Sequence, residues 1–201
     1  MNGYGKQRLA LRYWLLGHGF FQASHAMELA EGYHDGTRRD GVTAEFAHQV
    51  AIVSYLRSLL PHLLFGEETL SAAFLHDVRE DYDVSDEEIR AQFGDRVADA
   101  VDAVTKTFRG VRRDDVALFE RIGQDPIASI LKLADRGHNQ NTMVGVFSPQ
   151  KMDEYVTETE TLFLPMIRRA RRAFPEQEAA YENAKLLLLS QVNLVRAITC
   201  P

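Results

Sequence analysis

Apolar residues in this chain return every three or four positions, and no useful stretch alternates with the period of two that a half-buried strand needs. Phe46, Val50, Val53, Leu56 and Leu60 keep that spacing until Pro61 stops the run. Leu70, Ala73, Phe74 and Asp77 share one helical face. Ser85 and Glu88 have the S-x-x-E spacing of a capping box, which opens a short helix ending near Phe93. Gly94 separates it from a helix expected over 95–108, and 109–115 reads as a charged loop around Gly110. Asp125-Pro126, a cap followed by proline, starts a helix that carries Ile127, Leu131, Ala134, Asp135 and His138 on adjoining positions. Met152, Tyr155, Val156, Leu162, Phe163, Met166 and Ile167 outline a long amphipathic helix with a kink expected at Pro165. The last helix follows Pro175 and turns Ala180, Ala184, Leu187, Leu188, Leu194, Val195 and Ile198 inward. A chain of 201 residues can bury a sizeable core, and with no repeat or linker the expectation is one all-α domain over 1–201.

A formal net charge of −6 argues against a general nucleic-acid binder, which would show a basic face. No stretch approaches the roughly 20 apolar residues of a membrane span. The apolar patch from Tyr13 to Phe21 lacks the uninterrupted core and cleavage site of a signal peptide. Cys200 is the sole cysteine, so no intrachain disulfide can form, which fits a reducing cytoplasm.

The informative residues are polar ones placed where the helical pattern calls for apolar ones. Asp77 lies four residues after Ala73 and three after Phe74, Asp135 four after Leu131, and His48 falls inside the run begun by Phe46. A buried carboxylate must find a partner, shift its pKa or bind a metal. Taken alone, an internal histidine such as His48 is more often a satisfied core or surface residue. The order His48, His76-Asp77, Asp135 on three separate helices points instead to one divalent metal held by all four. Imidazole and carboxylate together suit a six-coordinate ion whose remaining positions hold water. Open water positions favour hydrolysis over a closed structural site. His18, His25, His34, His62 and His138 are expected to have no ligand role.

His34-x-Gly-x-Arg-Arg-Asp-Gly41, His48, LHDVRED (75–81), FGDRVADAVDAVTK (93–106) and KLADRGHNQNT (132–142) together resemble the hydrolase domain of Rel/SpoT-type enzymes. The layout is similar to the stand-alone small alarmone hydrolases. The resemblance covers 34–142, a motif-bearing core followed by C-terminal helices over 150–200. It implies a single-domain HD-type helical bundle that hydrolyses the 3′-pyrophosphate of ppGpp or its adenosine counterpart, with manganese on His48, His76, Asp77 and Asp135. It further implies that Glu80 and Asp81 orient and deprotonate the attacking water and assist the leaving oxygen. Their positions four residues after His76 and Asp77 agree if the helix continues. Without the resemblance they would read as the opening of an acidic loop.

Asn139 and Thr142 match positions that contact sugar or phosphate in the family. Arg38 and Arg39 match its Arg-Lys pair beside base and phosphates, and otherwise read as solvated charges in a glycine-flanked loop. Two departures stand out: the usual Gly-Glu-Pro-Tyr stretch before the first histidine is replaced by Gly41-Val-Thr-Ala-Glu-Phe, and Gly137 stands where a bulky apolar residue is usual. The expected partner is a small nucleotide, with no nucleic acid and no membrane; a cognate toxin or alarmone synthetase stays open, as do NADPH as a side substrate and the oligomeric state. Rival readings are an HD-type nucleotidase or dNTP triphosphohydrolase and a non-catalytic HD-fold interaction module. The latter predicts decayed ligands, whereas all four ligands and both acids are present.

Overall fold

Side-chain caps start the helices where the sequence pattern places them. The Asp125 carboxylate accepts the N–H groups of Ile127 and Ala128 at 2.8 and 2.7 Å, and Ser85 with Glu88 closes a full capping box. Replacing Asp125 by alanine should cost about 0.5–2 kcal/mol, read as a lowered urea midpoint with unchanged slope.

The computed structural model describes residues 3–199; Cys200 lies outside them. In order they form α1 (Gly3–Gly17), α2 (Phe21–Tyr33), α3 (Ala47–Ser58), α4 (Gly66–Leu75), α5 (Val78–Tyr82), α6 (Asp86–Val104), strands β1 (Thr107–Phe108) and β2 (Val111–Arg112), α7 (Asp115–Ile122), α8 (Pro126–Met143), α9 (Pro149–Glu158), α10 (Leu164–Ala173) and α11 (Glu178–Thr199). The architecture is all-α. Among the described residues, no helix is long and apolar enough to cross a membrane.

Helix α4 is the axis of the bundle. Every residue from Thr69 to Leu75 is buried, and the two hydroxyls among them, on Thr69 and Ser71, donate to the carbonyls of Phe65 and Glu67 one turn back. It packs against α2, α3, α6 and α8, so its C-terminal end meets α3 and α8 inside the protein.

Two local expectations need correction. The helix expected to reach residue 108 ends at Val104, and an antiparallel hairpin follows. Its two-residue turn puts both Arg109 (φ 50°) and Gly110 (φ 78°) in the left-handed region, as a hairpin turn of this type requires. Gly94 does separate two helical runs within α6, as expected: its backbone leaves the helical region, with φ 77° and ψ 172°. On the last helix Leu194 and Ile198 are exposed, while Tyr181, Gln191 and Val192 take the buried positions.

The expected long helix before residue 174 is divided by a π-helical turn over Thr159–Phe163, where the Leu164 N–H bonds the Thr159 carbonyl five residues back. Pro165 cannot donate to the carbonyl four residues before it, and the wider turn absorbs that loss just ahead of it. Helix α11 closes on α8 at Gly137, where a Cβ would stand 3.2 Å from Leu187 Cδ2. Gln191 Nε2 donates to the Gly137 carbonyl at 2.9 Å, so the missing side chain lets the two helices approach.

Candidate metal centre

Three packed helices bring the polar exceptions together. His48 lies in the first turn of α3, Asp135 in the middle of α8, and His76-Asp77 at the break between α4 and α5. The α4 helix does not run on through the acidic pair as a single rod. The Asp77 carbonyl instead accepts the N–H groups of Glu80 and Asp81, at 3.1 and 3.0 Å, and starts α5.

His48 Nε2 is 3.3 Å from Asp135 Oδ1 and 3.7 Å from Asp77 Oδ2. His76 Nε2 is 3.0 Å from Asp77 Oδ2 and 3.9 Å from Asp135 Oδ1. Bonds of about 2.1 Å to one ion would place neighbouring ligand atoms about 3 Å apart, so the spacing fits a common cation. His48, His76 and Asp135 are all buried.

The sharpest test of fit is His76. Its Nδ1 lies 2.9 Å from the Ala73 carbonyl, which can only accept, so Nδ1 carries the proton in the neutral ring. Nε2 is then left with a lone pair, buried and without a hydrogen bond, facing two carboxylates. A ring whose other nitrogen donates to a backbone carbonyl is oriented as metal-ligating histidines are.

The electrostatics agree. Burial opposes charge on His76, but Asp77 and Asp135 outweigh it and push the imidazole up to about 9. Burial likewise works against charged Asp77 and Asp135; His76 and His48 hold the first well below the usual carboxylate range, and Lys132 with both histidines does so for the second. Proton and cation therefore compete for one lone pair. Burial pushes His48 down, and burial with the charges of His48 and Arg38 brings His138 to about 3.

A cavity of about 420 Å³ opens onto this cluster, and Arg38, Arg39, Asn139 and Thr142 all line it. Asn139 links the two sides, donating to Asp135 Oδ1 at 2.6 Å and accepting from Arg38 Nη2 at 3.3 Å. Lys132 Nζ donates to Asp135 Oδ2 at 2.9 Å. The adjacent acids are placed differently. Asp81 lines the cavity and is pushed up to about 6, by burial first and then by Asp77, Glu80 and Glu45. The Glu80 carboxylate accepts the backbone N–H groups of Lys106 and Thr107 and ties α5 to the hairpin.

Several lining groups escaped the sequence reading. Part of the cavity wall is apolar and aromatic, with Phe147 edge-on to Tyr155 at 5.4 Å and Arg39 5.6 Å above the Phe147 ring. His138, given no ligand role, is 2.8 Å from His48 through the two Nδ1 atoms. His138 is three residues after Asp135, so helical spacing could have found it; Phe147 follows a turn and leaves no periodic trace.

Two buried imidazoles and two carboxylates gathered from packed helices above an open cavity define an α-helical domain with a candidate cation centre. The HD domain family model matches residues 26–173, and the chain belongs to that family. It is similar to the probable guanosine-3′,5′-bis(diphosphate) 3′-pyrophosphohydrolase of Synechocystis, at 37% identity over 68% of this chain and 18% of the relative. It is also similar to the guanosine-3′,5′-bis(diphosphate) 3′-pyrophosphohydrolase of Vibrio cholerae, at 34% over 70% of this chain and 20% of the relative. The chain thus spans about a fifth of these curated relatives. A solved structure of a metazoan ortholog of SpoT that hydrolyzes ppGpp shares the fold, with a TM-score of 0.65 at 21% identity over 86% of this chain and 94% of that one.

Proposed function

We propose that this protein hydrolyses the 3′-pyrophosphate of ppGpp or its adenosine counterpart, giving nucleoside diphosphate and pyrophosphate. The observation that carries the reading is the buried, unbonded His76 Nε2 facing Asp77 and Asp135 beside a nucleotide-sized cavity. The names of the Synechocystis and Vibrio cholerae relatives supply the substrate class.

His48, His76, Asp77 and Asp135 would hold manganese. The ion supplies an acidified water and a charge that polarises a phosphoryl oxygen. Asp81, on the cavity wall, orients and deprotonates that water and returns the proton to the leaving 3′ oxygen, with Glu80 beside it. Arg38 and Arg39 counter phosphate charge. Asn139 and Thr142 take the ribose, and Phe147 and Tyr155 offer a face for the base. The lone thiol at Cys200 and a nucleotide substrate fit work in the cytoplasm.

The test is a product assay on ppGpp, its adenosine counterpart and dNTPs, with and without manganese. Intact pyrophosphate from a 3′-pyrophosphorylated nucleotide is expected. Inorganic triphosphate from dNTPs, with no pyrophosphate from either alarmone, would transfer the reading to a triphosphohydrolase. Asp81→Asn should lose about 10²–10⁴-fold in rate yet keep the ion on the two histidines, Asp77 and Asp135. Asn139→Ala is a poor probe of substrate contact because Asn139 also bonds Asp135. Thr142→Val is cleaner: it should raise KM by up to about tenfold, the worth of one hydrogen bond, at unchanged metal content.

A further inference from the structure

A second group of imidazole and carboxylates lies beside the first. His34 follows the last residue of α2, and the loop after it folds back on itself, with Glu45 N–H donating to the Gly36 carbonyl at 2.9 Å and Arg38 N–H to the Thr43 carbonyl at 2.8 Å. That closure brings Glu45 Oε1 to 3.7 Å from His34 Nδ1, too far for a hydrogen bond. Asp81 adds a third donor, and one ligand atom from each residue lies within 4.8 Å of the other two.

His34 is the informative member. It is only 3% exposed, and its Nδ1 has no hydrogen-bond partner. Its Nε2 lies 3.1 Å from the Gln49 amide nitrogen, while Gln49 Oε1 is itself buried with nothing to bond. Turning that amide end for end lets Oε1 accept from His34 Nε2–H. The lone pair then falls on Nδ1, toward Glu45 and Asp81. Tyr82 meets the His34 ring edge-on at 5.0 Å and helps to fix its plane.

Charge supplies an independent argument. Five carboxylates line the cavity against three bases, Arg38, Arg39 and Lys132. One divalent ion would only neutralise that wall, and a neutral wall has little attraction for a substrate carrying two pyrophosphate groups. A second ion would make it positive.

We infer that His34, Glu45 and Asp81 form a second divalent-cation site, separate from the His48, His76, Asp77 and Asp135 cluster and suited to manganese or magnesium. One imidazole with two carboxylates is a donor set for such ions. Glu45 belongs to the stretch in which this chain departs from the Rel/SpoT-type pattern. Paired ions can stabilise both the attacking and the leaving oxygen of an in-line displacement. That catalytic use and the charge argument rest on the function proposed above; the geometry of the His34 group does not.

The experiment counts ions without nucleotide. The full chain, equilibrated with manganese and freed of excess, is assayed by elemental analysis and by electron paramagnetic resonance. Wild type should hold two ions per chain with a spin-coupled signal. E45Q and D81N, both isosteric changes, should each leave one ion and an uncoupled signal. Both should weaken the second manganese binding step at least about tenfold, while circular dichroism shows retained helix. D135N should spare the ion at His34. One ion in wild type, unchanged by E45Q and D81N, overturns the proposal and leaves a His34–Glu45 contact of purely structural use. One ion that is lost in E45Q and kept in D135N would instead uphold this site and defeat the assignment of the first.

Discussion

Asp77→Ala should release the ion from the His48 cluster and lower hydrolysis beyond the roughly 10²–10⁴-fold that loss of a general acid or base costs. Asp77 Oδ2 faces both imidazoles, at 3.0 Å from His76 Nε2 and 3.7 Å from His48 Nε2. Its removal takes away a ligand and also the charge that makes a cation welcome between two buried rings. With 31% of its side chain exposed, Asp77 can be truncated without opening a sealed void. Unfolding should therefore not explain the loss. The measurement is metal content by elemental analysis beside turnover, with Asp81→Asn as the comparison that keeps this ion. Wild-type metal occupancy in the alanine variant would refute the assignment of these four residues.

The largest effect on stability is expected at Asp102. Its carboxylate on α6 accepts from Arg79 of α5, from Arg113 Nη2 at 2.8 Å and from Arg121 of α7. Arg79 is only 5% exposed and lies 4.5 Å from the Phe108 ring centroid, so water cannot readily replace the lost partner. Breaking a buried pair from one side leaves an uncompensated charge and costs about 3–5 kcal/mol. Asp102→Ala should therefore lose that much in urea unfolding, and Asp102→Asn, which keeps an acceptor oxygen, clearly less. A loss below about 1 kcal/mol would mean that Arg79 swings to Asp86, now 3.9 Å away. Because α5 also carries Glu80 and Asp81, the same variant should slow turnover.

That His48, His76, Asp77 and Asp135 converge was legible because polar residues interrupt apolar helical patterns. Asp77 and Asp135 stood where an apolar residue would complete a helical stripe, and a carboxylate in that place requires a partner. The all-α class followed from the same periodicity, and the helix starts from Ser85 and Asp125. What lacked a period was hidden. Residues 34–46 form a loop held by its own backbone bonds, so nothing in their spacing shows that Glu45 faces His34. Nothing in the spacing of Arg79 and Asp102 pairs them, because only the packing of α5, α6 and α7 brings them together. The end of the helix at Val104 was missed for a related reason: alanine and valine continue a helical pattern, and the turn that ends it depends on backbone angles at Arg109 and Gly110.

The 2.8 Å approach of His48 Nδ1 to His138 Nδ1 leaves room for one hydrogen between two nitrogens. An ion on His48 Nε2 obliges that ring to carry its hydrogen on Nδ1, where it donates to His138. His138 must then accept at Nδ1 and keep its own hydrogen on Nε2. Moving the hydrogen of His48 to Nε2, as in the ion-free neutral ring paired with Asp135, reverses the donor across the contact and makes His138 Nε2 an acceptor. Both rings line the cavity. Tautomer choice thus passes through the wall like a relay, and the occupant of one histidine dictates whether the next can greet a phosphate oxygen or only a hydroxyl.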